Sequence, residues 1–202
     1  EIKILIPDET KFTWLSNLLN KYSAQVLMIS SMYNDLTLSS GSYTSRKSYK
    51  NLISYAAKNY HFKIITDKRQ FIIDEYSDFH AEVAGRITRE RESWLEQEKW
   101  IRQGTAFISE CRFDKALIGY SYMAISDERA LYFSGVYSRD RHYKGISHAC
   151  LSRACSFARE ISLNMLDFGQ MASLDEDEKL QNITQFKLGF TNSLRFNIAL
   201  SL

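Results

Sequence analysis

Apolar positions recur along the chain with two periods, and the period changes near residue 104. Before it, residues 10–22 place Phe12, Leu15, Leu18 and Leu19 at helical spacing behind Thr10 as a cap. Residues 46–58 do the same with Tyr49, Leu52, Ile53 and Ala56. Two more helices are predicted over 68–84 and 90–103, the second carrying Trp94, Leu95, Glu98 and Ile101 and ending at Gly104. Short β-branched runs at 25–30 and 61–66 predict strands, and the serine- and glycine-rich stretch 38–45 a loop.

After residue 104 the pattern turns to strands. Residues 106–113, 116–126 and 129–137 are three β-rich runs separated by the short turns 113–115 and 127–128, the spacing of an antiparallel meander. A helix over 145–161 follows, then a strand over 164–170, a helix over 175–188 and a strand over 194–200. Helices and strands in this order predict a mixed α/β (α+β) fold, a meander-bearing sheet with helices against it. No repeat interrupts it.

Composition narrows the class. The chain has 202 residues, 45% hydrophobic and 25% charged, with a net charge of +2, an ordinary globular balance able to bury a core. With only 8 glycines and 1 proline it is no low-complexity chain. Its longest uncharged run, 22–34, is too short to span a bilayer, the uncharged stretch 36–45 is shorter and polar, and its first residues lack the pattern of a secretory leader. Glu1 in place of methionine leaves room for upstream sequence. Cys111, Cys150 and Cys155 form no Cys-x-x-Cys and point to reduced thiols, hence a cytoplasmic protein. The histidines (61, 80, 142, 148) and cysteines show no metal-ligand spacing, and there is no P-loop, Gly-x-Gly-x-x-Gly or Gly-x-Ser-x-Gly.

Two stretches carry uneven charge. Residues 36–66 hold Arg46, Lys47, Lys50, Lys58 and Lys63 with no acid, a local +5. Residues 139–160 hold Arg139, Arg141, Lys144, Arg153 and Arg159 against Asp140 and Glu160, a local +3, and include a helix start where amides and dipole favour phosphate. Gly145 is placed to let backbone approach such a group, and Ser147 adds a hydroxyl. The alternative for both stretches is a solvated helix face. Elsewhere, Lys187 is a lone cation in Phe186-Lys187-Leu188-Gly189-Phe190, either an oxyanion neutraliser or a snorkelling lysine. Glu110 and Asp167 are carboxylates inside strands, candidate proton acceptors or partners of an arginine. His80 is a candidate base or a satisfied core histidine, with His142 beside Arg141 as an alternative. Arg86 and Arg89 bracket a basic corner near Trp94 and Gln97, suited to an acceptor's sugar or phosphate or to pairing with Glu90, Glu92 and Glu96.

The element order resembles the GNAT acyltransferase fold, and five stretches resemble its FemAB-like branch. These are residues 79–89 (FHAEVAGRITR), 94–97 (WLEQ), 134–141 (SGVYSRDR), 166–169 (LDFG) and 186–190 (FKLGF). The branch transfers aminoacyl or acyl groups onto amines of cell-wall and surface-polysaccharide precursors. The resemblance implies a GNAT-like core at 105–202 with residues 1–104 as the N-terminal helical and strand portion of the same unit. It implies no permanent cofactor, with acyl-CoA, an acyl carrier protein or aminoacyl-tRNA as donor and an amine such as an amino sugar as acceptor. It assigns the oxyanion role to Lys187. The wider fold's Q/R-x-x-G-x-G/A loop is met by residues 142–147 with one glycine, and no tyrosine follows Tyr143. A non-catalytic binding module is therefore a second reading, and an RNA-contacting domain using Tyr43, Tyr49, Tyr55 and Tyr60 a third.

Overall fold

The computed structural model describes residues 2–4, 25–38, 45–172 and 176–201. The helix expected over 10–22 and most of the loop over 38–45 lie outside the described residues. Two compact units share the chain, one made of residues 1–33 and 168–202 and the other of residues 34–167.

The larger unit carries the meander. Helix α1 (Tyr49–Asn59) leads through Tyr60 into β3 (His61–Ile65), then α2 (Ile73–Ala84), α3 (Arg91–Arg102), β4 (Ala106–Phe113), β5 (Ala116–Ser126), β6 (Arg129–Tyr137) and α4 (Ile146–Glu160). β3, β4, β5 and β6 pair antiparallel in that order, and the first half of β7 (Met165–Gln170) joins β6 in parallel. The three meander strands begin and end where the two-residue periodicity places them. β4 and β5 are buried almost continuously rather than alternately, because helices cover both faces of this unit's sheet. On one face Tyr76, Trp94 and Ile101 pack against Ile108, Tyr120 and Tyr122. On the other, Ala56 and Tyr60 join Ile146, Ala149 and Cys150.

One predicted helix breaks. Residues 68–84 form a single 3-10 turn (Lys68–Gln70) and then α2, with Ile72 extended between them. Burial overrides helix propensity there, because Phe71 turns inward to meet the Tyr76 ring at 4.7 Å.

In the smaller unit, β8 (Ser193–Ser201) pairs antiparallel with β1 (Ile2–Ile4) on one side and β2 (Gln25–Asp35) on the other. The β2–β8 register runs from Gln25↔Ser201 to Tyr33↔Ser193, so β2 is longer than the run that predicts it, and β1 is unforeseen by the pattern. Helix α5 (Glu178–Leu188) is capped by Asp177, whose carboxylate accepts from the Leu180 amide at 2.9 Å. The three cysteines are buried and none forms a disulfide. No described helix is long and apolar enough to cross a membrane.

Candidate functional site

The chain leaves α2 through Gly85, which takes the left-handed conformation (φ 73°) that ends a helix, and re-enters helix at Arg91 after an extended Glu90. That turn folds the last turn of α2 and the first of α3 around a cavity of about 280 Å³. His80, Thr88, Arg89 and Trp94 line it, together with Asp78 and Glu90.

His80 is half-buried, its Nδ1 3.0 Å from Thr88 Oγ1 and its ring edge-on to Trp94 at 5.6 Å. Burial first, and the charge of Arg89 second, push the imidazole below its usual proton affinity. It is therefore neutral at neutral pH, a state able to accept a proton. Arg89 lies over Trp94 at 5.5 Å and over Phe133 at 5.4 Å, and its Nη1 donates to Gln97 Oε1 at 3.3 Å. Gln97 is buried and is fixed by donating to Ser93 O at 3.1 Å. The structure thus brings together His80, Arg89, Trp94 and Gln97. Arg86 is exposed at the same corner but does not line the cavity. The alternative pairing of Arg86 and Arg89 with Glu90, Glu92 and Glu96 is not among the described ion pairs: Glu96 pairs with Lys99, and Arg91 takes Asp74 at 2.9 Å.

Glu110 has a different setting. It is buried at 3% exposure, accepts from Tyr76 Oη at 2.5 Å and from Arg112 Nε at 3.0 Å, and Arg112 reaches on to both oxygens of Glu75 at 2.7 and 2.8 Å. The guanidinium's hydrogen bonds hold Glu75 below the usual carboxylate range, and Arg112 is raised by both acids. The arrangement ties α2 to β4 and engages both Glu110 oxygens with donors.

Sequence reasoning missed the tyrosines of β5. Tyr122 donates to Gln97 O at 2.8 Å, and Tyr120, fully buried between Tyr76 and Phe79, leaves its hydroxyl without a hydrogen-bond partner. Burial raises both phenols above their ordinary value, with Arg89 opposing weakly, so each is a donor at neutral pH. Their spacing of two in a strand was the available signal, since residues i and i+2 share a face. β6 carries another feature without a sequence signal: the register shifts so that Tyr122 faces Ser134 while Met123 faces Tyr132, leaving Phe133 as a bulge. Parallel pairing with β7 covers only Arg129↔Met165 to Leu131↔Asp167, and Ser134 Oγ is buried without a partner.

Asp167 ends that paired stretch, half-buried, and lines a second open cavity of about 760 Å³ with Asp127, Glu128 and Arg129. The two cavities share no lining residue. At the start of α4, Arg139, Arg141 and Lys144 are exposed, while Asp140 accepts from His142 N at 2.9 Å and lies 2.6 Å from His142 Nδ1. Ser147 Oγ lies 3.3 Å from His148 Nδ1. Gly145, at φ 74°, has a different role from the expected one. A Cβ there would stand 2.4 Å from Leu52 O, so the space its missing side chain leaves is filled by the backbone of α1. The adjoining Lys144 amide donates to Tyr60 Oη at 3.1 Å. This glycine admits helix–helix contact where the sequence pattern pointed to phosphate.

In the smaller unit, Lys187 in the last turn of α5 donates from Nζ to Phe168 O at 2.7 Å, half-buried, beside Gly169. The ammonium is held by backbone rather than reaching into water as a snorkelling lysine does.

No protein-family model matches the chain. No curated protein matches it either. Solved structures do. FemX superposes with a TM-score of 0.70 at 13% identity, over 97% of this chain and 71% of its own. The C-terminal domain (DUF2156) of a putative lysylphosphatidylglycerol synthetase from Agrobacterium fabrum gives 0.64 at 14% identity, over 92% of this chain, which spans 64% of that domain's length. An aminoglycoside acetyltransferase from an uncultured soil metagenomic sample, in complex with sisomicin, gives 0.52 at 8% identity, over 66% and 88%. At these identities the likeness is one of fold, and the fold is the GNAT-like mixed α+β arrangement.

Proposed function

We propose that the chain is an N-acyl or N-aminoacyl transferase acting by direct transfer from an anionic activated donor to an amine. The observation that carries this reading is the corner cavity with a neutral His80 on its wall, within a fold shared with proteins named as transferases and synthetases. Amide formation needs an uncharged amine nitrogen, and an imidazole kept neutral by burial is a base available for its proton. The nitrogen attacks the donor carbonyl carbon, the C–N bond forms, and the C–S or C–O bond to the donor's leaving group breaks after a tetrahedral oxyanion. Trp94 and Arg89 bind the acceptor, Gln97 lies behind them and holds the Arg89 guanidinium rather than touching the acceptor as the sequence suggested, and Arg86 stands outside the cavity as a long-range attractor. Lys187 stabilises the oxyanion, a role its hydrogen bond to Phe168 O prepares by fixing the ammonium. Glu110 positions α2, and with it His80, rather than taking the proton itself. Asp167 belongs with the second cavity.

The donor is an acyl-CoA, an acyl carrier protein or an aminoacyl-tRNA, drawn by Arg139, Arg141, Lys144 and Ser147 at the start of α4. The acceptor is an amine, a cell-wall or surface-polysaccharide precursor being the class that the resemblance implies, and the reaction is cytoplasmic. A binding module without chemistry is favoured by one observation, the filling of the Gly145 space by Leu52.

A thermal-shift panel of acyl-CoAs, nucleotide sugars and charged tRNA, followed by transfer assays with every stabilising pair, tests the reading. Transfer that falls about 10²-fold in Lys187→Met at nearly constant donor affinity is expected. Stabilisation without transfer from any donor gives the module reading instead.

A further inference from the structure

Arg89 differs from Arg91, the other arginine on the same cavity wall, which carries the Asp74 carboxylate at 2.9 Å. Arg89 has none among the described ion pairs, and its one hydrogen bond goes to a neutral amide at 3.3 Å. Yet among the described arginines it is the one set against two rings, those of Trp94 and Phe133. A guanidinium already fixed in orientation and lacking a counter-ion presents a fork whose natural complement is a planar carboxylate.

The same cavity holds the opposite charge. Asp78 and Glu90 line it and form no ion pair among the described residues. Arg91, also on the wall, is neutralised by Asp74. The cavity therefore pairs one unmatched cation with two unmatched carboxylates, and a neutral imidazole shares its wall. Ile87, Ala81 and the Trp94 face supply apolar wall. At about 280 Å³ it lies at or below the small end for organic ligands, a size suited to a small molecule or the end of a larger one.

Resting on the transferase reading, we infer that this cavity binds a zwitterion of amino-acid size, its carboxylate on Arg89 and its ammonium toward Asp78 and Glu90. An amino sugar leaves Arg89 without a counter-charge, and a phosphate sets a dianion against the two carboxylates; a free amino acid satisfies both ends. The bound ammonium passes a proton to His80 and becomes the attacking amine.

Calorimetric titration of the full chain with the free proteinogenic amino acids, each beside its methyl ester and its N-acetyl derivative, tests this without any donor present. Glucosamine and inorganic phosphate complete the set. At least one free amino acid is expected to bind in the millimolar range or tighter, with ester and N-acetyl forms weaker by about tenfold or more. Arg89→Met should abolish the preference for acid over ester. Because Arg89 packs on two rings, Asp78→Asn with Glu90→Gln, both on the surface, gives an independent arm: it should weaken the free amino acid while leaving the melting temperature unchanged. Absence of binding by every free amino acid at millimolar concentration, an ester binding as tightly as its acid, or stronger binding of glucosamine or phosphate each overturns the inference. Transfer to amino sugars without amino-acid binding refutes the zwitterion site and keeps the transferase. Amino-acid binding without transfer from any donor does the reverse.

Discussion

Replacing Glu110 by glutamine separates two roles that a strand carboxylate can have. Its carboxylate accepts from Tyr76 Oη and from Arg112, which also bridges to Glu75. Glutamine keeps one acceptor, so Tyr76 is still satisfied. The new amide must then point donor against donor at Arg112, and the charge at a site only 3% exposed is lost. Breaking one side of a buried pair costs about 3–5 kcal/mol when the remaining charge is stranded. Arg112 is not stranded, because Glu75 holds both its terminal nitrogens, and the side chains of Arg112 and Glu75 are 25% and 32% exposed. About 2–3 kcal/mol is the reasoned loss. For a domain of this size each kcal/mol lowers Tm by roughly 2–4 °C, so a fall of roughly 4–12 °C is expected in a circular-dichroism melt. Tyr76→Phe should cost less, and the double variant less than the sum, since both remove the same hydrogen bond. A Glu110→Gln protein that melts with the wild type but has lost transfer refutes the positioning argument and makes Glu110 the base.

Gly145→Ala should destabilise by roughly 2–5 kcal/mol, from a left-handed φ and a clash with Leu52 O, whereas Gly104→Ala, at φ 72° with nothing within 4 Å, should cost only about 1–2 kcal/mol; chemical denaturation of the pair checks this. Glu75 is held below the usual carboxylate range by Arg112, so its stabilisation is complete above that range and is lost as pH falls through the lowered value; the stability gap between wild type and Glu75→Gln should therefore close in acid titrations. His80 is shifted downward, so on acidification the unfolded chain takes up a proton before the folded one does, and stability should fall as pH drops below about 6.5. His80→Gln should flatten that limb of a pH–stability curve.

The meander was legible because each of its strands has a two-residue pattern closed by a short turn, a local signal. The helix broken at Ile72 was not, because Phe71 turns inward to join Tyr76 in a buried cluster whose other members, Trp94, Ile108 and Tyr120, lie far along the chain. At the site, Arg89, Trp94 and Gln97 were readable as a cluster because a helix turn and a short corner separate them. The bulge at Phe133 and the engagement of Glu110 by Tyr76 were hidden for the opposite reason: the first depends on the register with another strand and the second on a partner 34 residues away. Gly145 was read as the point where backbone meets a phosphate, and sequence alone does not name what approaches it.

What approaches is α1, and this bears on the acid-free stretch that contains it. Stacking on nucleobases needs open aromatic faces. Tyr49 is 8% exposed and meets the His148 ring at 4.3 Å, and Tyr60 is equally buried with its hydroxyl tied to the Lys144 amide. Only Tyr55, at 43% exposure, keeps an outward ring among the described tyrosines of the stretch. The basic residues divide the other way, since Arg46, Lys47, Lys50, Lys58 and Lys63 are exposed. The stretch therefore spends its aromatics on docking α1 to α4 and turns its charge to solvent. Such a face attracts polyanions through charge, with steep salt dependence and little preference among bases, which is the requirement for drawing in an anionic donor and is poor equipment for reading a nucleic-acid sequence.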